Sequence, residues 1–128
     1  CKELGIPTLV WMTPILPFIN DTRENIEGLL DYCLQAGVQG ILLFDVGVTL
    51  RDGDREFFYQ ALDRDFPGIR QKYVHTYGNA YDIPSPHAKE LMALIRNTCS
   101  ANSILCSPKE CFAYLNEFPK RYVQQTLF

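Results

Sequence analysis

The sequence predicts an α/β fold in which a strand–helix–strand unit is followed by a mostly helical extension. Two continuous apolar runs, at residues 8–13 and 38–45, flank one stretch with helical periodicity. Continuous hydrophobicity is typical of parallel strands that are covered on both faces, and parallel strands need a crossover connection, usually a helix. The spacing therefore predicts a right-handed βαβ unit.

Local signals bound the helix of this unit. Pro14 cannot donate a hydrogen bond to a sheet, so strand pairing should stop there. Asp21, with Glu24 three residues later, is predicted to cap the helix, and Gly37 is placed to end it. Its apolar face carries Ile26, Leu29, Leu30 and Cys33. After the second strand we expect a polar loop at 47–54, which opens at the same edge as the loop after the first strand.

The sequence after the βαβ unit predicts mainly short helices. Residues 54–65 form a helix whose packing face is predicted to hold Phe57, Phe58 and Leu62, and Pro67 is expected in the first turn of the next helix. Ser85-Pro86 and Ser107-Pro108 are N-cap signals, and residues 104–106 read as a brief third strand. We divide the chain into residues 1–54 and 55–128, which together form one compact unit.

Composition excludes several classes of protein. The 128 residues are 47% hydrophobic with a net charge of -3, which is globular and gives no sign of a strongly basic nucleic-acid surface. No apolar run approaches the length of a membrane span. The five cysteines predict reduced thiols in a cytoplasmic protein. The spacing of Cys99, Cys106 and Cys111 matches no common metal motif, so we predict core thiols and no metal.

The residues beyond the predicted strands are candidates for ligand contact. Asn20, Asp21 and Asp45 fall at one edge of the sheet, where α/β folds bind ligands. The alternative is structural: Asp21 caps a helix and Asp45 closes a turn. The tyrosines at 73, 77 and 81 predict a loop packed back on the domain, and the alternatives for their side chains are aromatic packing and substrate contact.

One segment carries a resemblance to a known family. Pro14-Ile15-Leu16-Pro17-Phe18-Ile19-Asn20-Asp21 resembles the P-x-x-P-x-x-N-D segment of radical SAM proteins of the spore photoproduct lyase-like (DNA repair photolyase-like) group. Later signals come in a similar order: Gly40, Leu50-Arg51-Asp52-Gly53, Phe66-Pro67-Gly68, Tyr73, Tyr77-Gly78-Asn79-Ala80-Tyr81 and the terminal residues 125–128.

The resemblance implies a fold and a chemistry. In that family the segment follows a late strand of a partial TIM barrel. An early CxxxCxxC motif binds a 4Fe-4S cluster, and S-adenosylmethionine is cleaved reductively to a radical that abstracts hydrogen from substrate. This chain has no CxxxCxxC motif. We therefore expect the cluster and S-adenosylmethionine in a longer parent enzyme and neither bound to this chain alone.

The resemblance also suggests site residues. Pro14, Pro17, Asn20 and Asp21 are candidate contacts to S-adenosylmethionine or to substrate. The second set of candidates, for substrate alone, comprises Asp45, Arg51, Tyr77 and Tyr81.

We therefore interpret the chain, which opens without a methionine on a segment entering a strand, as the C-terminal portion of a radical SAM enzyme, inactive by itself. Its expected partners are the N-terminal part of its own parent chain and a second copy, because a sheet cut from a barrel leaves open edges. Nucleic acid enters only by family analogy, and no membrane is expected. The alternative function is a non-catalytic α/β binding or assembly module.

Overall fold

The computed structural model describes residues 1–117, in which a short 3-10 helix (Lys2–Leu4) precedes a pair of parallel strands. β1 (Leu9–Trp11) pairs with β2 (Gly40–Leu42), with Val10 opposite Ile41. Helix α1 (Arg23–Ala36) connects them. The predicted strand–helix–strand unit with parallel strands is confirmed.

A third segment extends this sheet beyond β2. Leu105 forms a parallel bridge with Gly40, in which Ile41 N–H donates to the Leu105 carbonyl and Leu105 N–H donates to that of Gln39. The brief strand expected at 104–106 is thus present as a single bridge. The spatial order of the three segments is their order along the chain, and no described residue pairs with the other edge of β1.

A second, antiparallel sheet follows β2. β3 (Gly47–Thr49) pairs with β4 (Asp82–Pro84), and α2 (Asp54–Asp65) and α3 (Ile69–Tyr77) lie between them in the chain. The prediction of a polar loop from residue 47 was wrong, because Val48 pairs with Ile83. The extension is accordingly not wholly helical.

The helices of the extension differ from the prediction in which residues they bury. α2 has the predicted bounds, but Phe57 is 77% exposed, whereas Tyr59 and Leu62 are buried. α3 begins only after Gly68, so Pro67 precedes the helix. Tyr73 and Tyr77 belong to α3 rather than to a loop.

Helix ends follow local chemistry. Thr22, and not Asp21, caps α1, since its side chain accepts from the Asn25 N–H. Gly37 ends α1 at φ 64°, as predicted. Ser107 caps α5 (Pro108–Asn116) by accepting from the Glu110 N–H. α4 (Ala88–Ala101) starts later than Ser85 predicts, with His87 at its N-cap position.

Two hydrophobic cores result. The first joins the parallel sheet to α1 and α4 and contains buried Ile26, Ile41, Ile95, Cys33 and Cys99. The second lies between the antiparallel sheet, α2 and α3 and is centred on Tyr73. The mixed α/β class is confirmed, and residues 1–117 do not close a barrel.

Within these residues no helix is both long and apolar enough to cross a bilayer. The terminal residues 125–128, on which the resemblance partly rests, lie outside the described part of the chain.

Replacement of Gly47 and of Gly28 by alanine should change the stability of the protein in opposite directions. A Cβ at Gly47 would collide with the Ile83 carbonyl oxygen and lie 2.8 Å from Pro84 Cα, whereas one at Gly28, inside α1, meets nothing within 4 Å. We expect Gly47→Ala to lower the free energy of unfolding by about 1–3 kcal/mol. Gly28→Ala should raise it by about 0.5–1 kcal/mol, because alanine favours helix. Urea unfolding measures both, and equal shifts of the two midpoints would contradict this packing.

Candidate functional site

A groove of about 550 Å³ lies where β1 and β2 end and the antiparallel sheet begins. We call it the strand-end groove. Its walls include Trp11, Thr13, Pro14, Phe44, Asp45 and Asp82. The groove opens at the carboxyl edge of the parallel strands, which is the edge where the sequence predicts a ligand site.

Two aromatic rings stand in this groove without being buried. Trp11 and Phe44 are each 60% exposed, and their ring centroids are 6.2 Å apart with an interplanar angle of 54°. Trp11 is the last residue of β1, and Phe44 lies just after the end of the neighbouring parallel strand β2. The pairing of the two strands therefore brings the rings together. Exposed aromatic faces next to carboxylates favour planar or positively charged ligand groups.

Two carboxylates line the same groove. Asp45 accepts a hydrogen bond from the Val46 N–H at 2.7 Å through Oδ1, which orients the carboxylate and leaves Oδ2 without a partner among the described residues. Asp82 comes from β4, where it pairs with Thr49. Both side chains are exposed. The groove is therefore acidic, and it disfavours phosphate groups.

The predicted loop residues occupy different places. Pro14 lines the strand-end groove. Asn20 lies instead beside a second groove of about 580 Å³ along α1, where its Oδ1 accepts from the Leu16 N–H. Pro17 and Asp21 are buried in the interior. Of the four candidate contacts to S-adenosylmethionine or substrate, only Pro14 reaches the strand-end groove.

Asp21 contributes to the site indirectly, by holding the loop that follows β1. It is 4% exposed and accepts a hydrogen bond from the Ser85 hydroxyl, which in turn accepts from the His87 N–H. This chain of bonds ties the loop after β1 to the start of α4. A buried carboxylate is tolerable only with such partners.

Tyr73 supports the same loop from the second core. Its hydroxyl donates to the Pro17 carbonyl at 2.7 Å, and burial raises the pKa of the phenol, so the hydroxyl stays a donor. Phe18 adopts φ 63° and packs edge-on against Tyr73 with ring centroids 5.7 Å apart. A bulky residue at positive φ is strained and persists only where packing holds it.

The remaining substrate candidates lie outside the groove. Arg51 Nε donates to the Tyr81 hydroxyl at 3.4 Å on the surface, and this bond lowers the pKa of Tyr81 and raises that of Arg51. The Tyr77 hydroxyl donates to the Pro84 carbonyl and so braces β4. Asp45 is the only one of the four that lines the groove.

The sequence analysis did not identify three residues of the groove, Trp11, Phe44 and Asp82. It also did not identify Arg55, which holds the antiparallel sheet by hydrogen bonds. The continuous apolar runs predict that Trp11 and Phe44 lie in strands covered on both faces. Asp82 lies 37 positions after Asp45, on a strand with no local signal. Arg55 donates to the carbonyls of Leu50, Gly78, Asn79 and Ala80 and closes the ends of the antiparallel sheet. The available signal in the sequence was an aromatic residue near the end of each of the two apolar runs, Trp11 and Phe44.

The cysteine thiols are the side chains to test as ligands of a cluster. Among residues 1–117 no group of three or more His, Cys, Asp or Glu side chains is arranged to hold a metal ion. The described cysteines therefore do not fit the ligand set that a 4Fe-4S cluster requires.

Comparison with known proteins gives three matches of equal strength. The chain is 29% identical over 91 residues to uncharacterized proteins of Mycobacterium bovis and of two Mycobacterium tuberculosis strains. The aligned stretch covers 71% of this chain but 26% of each relative, so the chain spans about a quarter of the length of these proteins. No protein family and no solved structure matches it.

The Asp21–Ser85 pair should behave as a coupled unit. Asp21→Ala and Ser85→Ala should each destabilise the protein by about 1–3 kcal/mol, because each leaves a buried polar partner unsatisfied. The double variant should lose less than the sum, with a coupling energy of about 0.5–3 kcal/mol. Chemical unfolding of the four proteins measures this, with exposed Asp31→Ala as the matched control. Strict additivity would contradict a direct contact.

Proposed function

We propose that this chain is part of a longer radical SAM enzyme of the spore photoproduct lyase-like group, in which it forms late strands of a partial TIM barrel. The observation that carries the proposal is the strand-end groove at the carboxyl edge of consecutive parallel segments. Active sites of barrel enzymes lie at this edge. The ordered motifs at residues 14–21, 50–53 and 66–68 support the same assignment.

The arrangement of the crossovers is compatible with a barrel. β1, β2 and the Leu105 segment are adjacent in chain order, with α1 and α4 in the intervening connections. α1 and α4 pack against each other, so they lie on the same side of the sheet. In a barrel every crossover helix lies on the outer side and each strand neighbours the next in sequence. The larger size of the mycobacterial relatives leaves room for the other strands.

The residues of the groove suit a cationic and planar ligand. S-adenosylmethionine carries a sulfonium, an ammonium and an adenine ring, and when bound it supplies the radical that starts the reaction in this family. Trp11 and Phe44 offer ring faces, and the Asp45 carboxylate offers a charge-assisted acceptor. The cluster belongs to another part of the longer protein, because the cysteines here do not fit it. The role of this chain in the proposal is to bind and orient S-adenosylmethionine.

Asp45 provides the test of this proposal. In the longer protein, purified anaerobically with its cluster, we expect Asp45→Asn to weaken S-adenosylmethionine binding by about ten- to a hundredfold, since a hydrogen bond to a charged group contributes about 1.5–3 kcal/mol. Calorimetry measures the affinity, and formation of 5′-deoxyadenosine under reducing conditions measures turnover. Exposed Asp31→Asn on α1 is the control. A longer reading frame without CxxxCxxC, or one that binds no cluster, would remove the enzyme proposal.

A second function, a non-catalytic assembly module, is favoured by a different surface. The groove along α1 runs beside the unpaired edge of β1 and is lined by Val10, Met12, Leu29, Tyr32 and Ala36. Tyr32 is 74% exposed. An open parallel edge beside an apolar groove is a template for association, with a second copy or with a strand of a longer chain.

Association should depend on Tyr32. We expect the 128-residue chain to form a dimer or larger species by light scattering, and Tyr32→Lys to shift it towards monomer by placing a charge in the groove along α1. Phe57→Lys is the matched control, because Phe57 is 77% exposed on α2, away from that groove. A monomeric unmodified chain at moderate concentration would contradict assembly through this edge.

A further inference from the structure

One wall of the strand-end groove has no part in the binding of S-adenosylmethionine proposed above. That ligand is assigned to Trp11, Phe44 and Asp45, which lie at or just beyond the ends of the parallel strands. The other wall is the antiparallel sheet of β3 and β4, and its one charged residue in the groove is Asp82. The chemistry of this second wall indicates a second ligand.

Asp82 stands on the outer face of that sheet. In β4, Asp82 and Pro84 are exposed on either side of the buried Ile83, and successive side chains of a strand point to opposite faces. Ile83 packs in the second core, so Asp82 and Pro84 lie on the side of the groove. The ion pairs within residues 1–117 all use other carboxylates. Asp82 is therefore open to a ligand.

The main chain next to Asp82 is held in place without a ligand. Leu50 N–H donates to the Tyr81 carbonyl at 2.9 Å, which continues the pairing of β3 with β4. Arg55 donates to the Ala80 carbonyl at 2.6 Å, in the turn that leads into β4. Because these bonds already order the strand, a ligand that pairs with the carboxylate does not have to order the backbone as well.

Asp45 and Asp82 give the groove a negative charge that its walls do not neutralise. Within the described part of the chain, no lysine, arginine or histidine lines the groove. A cleft lined by charges of one sign attracts ions of the opposite sign, and carboxylates that share a site disfavour each other's ionised form. An ammonium or guanidinium group relieves this repulsion, whereas a carboxylate or phosphate group adds to it.

We propose that Asp82 selects the substrate of the longer enzyme, and that this substrate is a small organic cation, an amine or guanidine on an apolar body. The inference rests on the proposed function, in which S-adenosylmethionine occupies the parallel-strand side of the groove. The positive group pairs with Asp82, and the apolar body lies along Pro84. A volume of about 550 Å³ is in the range of small-molecule sites. The negative backbone of a nucleic acid does not suit this wall.

The test uses the full-length protein that contains these residues, handled anaerobically, and three probes that share one ring and differ in charge. At neutral pH 2-phenylethylamine is positive, 2-phenylethanol is uncharged and phenylacetate is negative. NMR titration measures their affinities with and without saturating S-adenosylmethionine. We expect the amine to bind roughly fivefold more tightly than the alcohol, as suits an exposed ion pair, and phenylacetate to bind more weakly than either.

Variants of Asp82 separate its charge from its shape. Asp82→Asn should remove most of the preference for the amine, and Asp82→Glu, which keeps the charge, should retain it. Asp31→Asn, at an exposed position on α1, is the matched control and should bind the probes as the unmodified protein does. Because Asp82 is exposed, neither substitution at this position removes a buried contact.

Equal affinity for the amine and the alcohol, or an unchanged preference in Asp82→Asn, would overturn the proposal. Loss of amine binding at saturating S-adenosylmethionine would also overturn it, because Asp82 would then belong to the site of that ligand. Failure of the proposed function has a different signature: the longer protein then binds no cluster and forms no 5′-deoxyadenosine, whichever probe it prefers.

Discussion

The hydrogen bond from the buried Tyr73 hydroxyl to the Pro17 carbonyl is the contact on which the rest of the structure depends. Pro14 and Pro17 have no N–H groups, so the loop that follows β1 cannot be held by regular backbone pairing. A side chain from a distant helix holds it instead. Tyr73 is fully buried, and Phe18 and Phe58 pack edge-on against its ring at 5.7 and 5.5 Å.

This contact joins the two cores through one loop. Ile15 belongs to the first core, while Phe18 and Ile19 pack against the second. The packing of Phe18 against the second core offsets the strain of its positive φ. Strained residues are expected where the surrounding structure holds them in place. The Asp21–Ser85 bond adds a second tie, from the end of the loop to the segment before α4. The strand-end groove lies between elements of both cores, so its shape depends on both ties.

Local signals in the sequence predicted much of the first half of the fold. The strands, α1, the Gly37 cap, the bounds of α2 and the Ser107 cap each follow from a few neighbouring residues. The pairing of β3 with β4 could not be predicted this way, because two helices separate Val48 from Ile83 and neither strand is long enough to show alternation. Asp21 and Thr22 are both good capping residues, but Asp21 is bonded to Ser85, 64 residues away, and Thr22 caps α1.

The candidate site was predicted in position but not in composition. The carboxyl edge and Asp45 follow from the parallel strands, whereas Asp82 enters the groove from the antiparallel sheet and its place depends on the tertiary fold. The places of the residues in the P-x-x-P-x-x-N-D segment also depend on the tertiary fold. Pro17 and Asp21 face the interior, and Asn20 holds the Leu16 N–H.

The segment therefore acts mainly as a support for the site. Its polar side chains are already engaged in holding the loop, which leaves Pro14 as its contact with the groove. A ligand in the groove would meet the two aromatic rings and the two carboxylates that the loop and the antiparallel sheet position. The extension after residue 54 then belongs to the site itself, because Asp82 and the bracing hydroxyls of Tyr73 and Tyr77 all come from it.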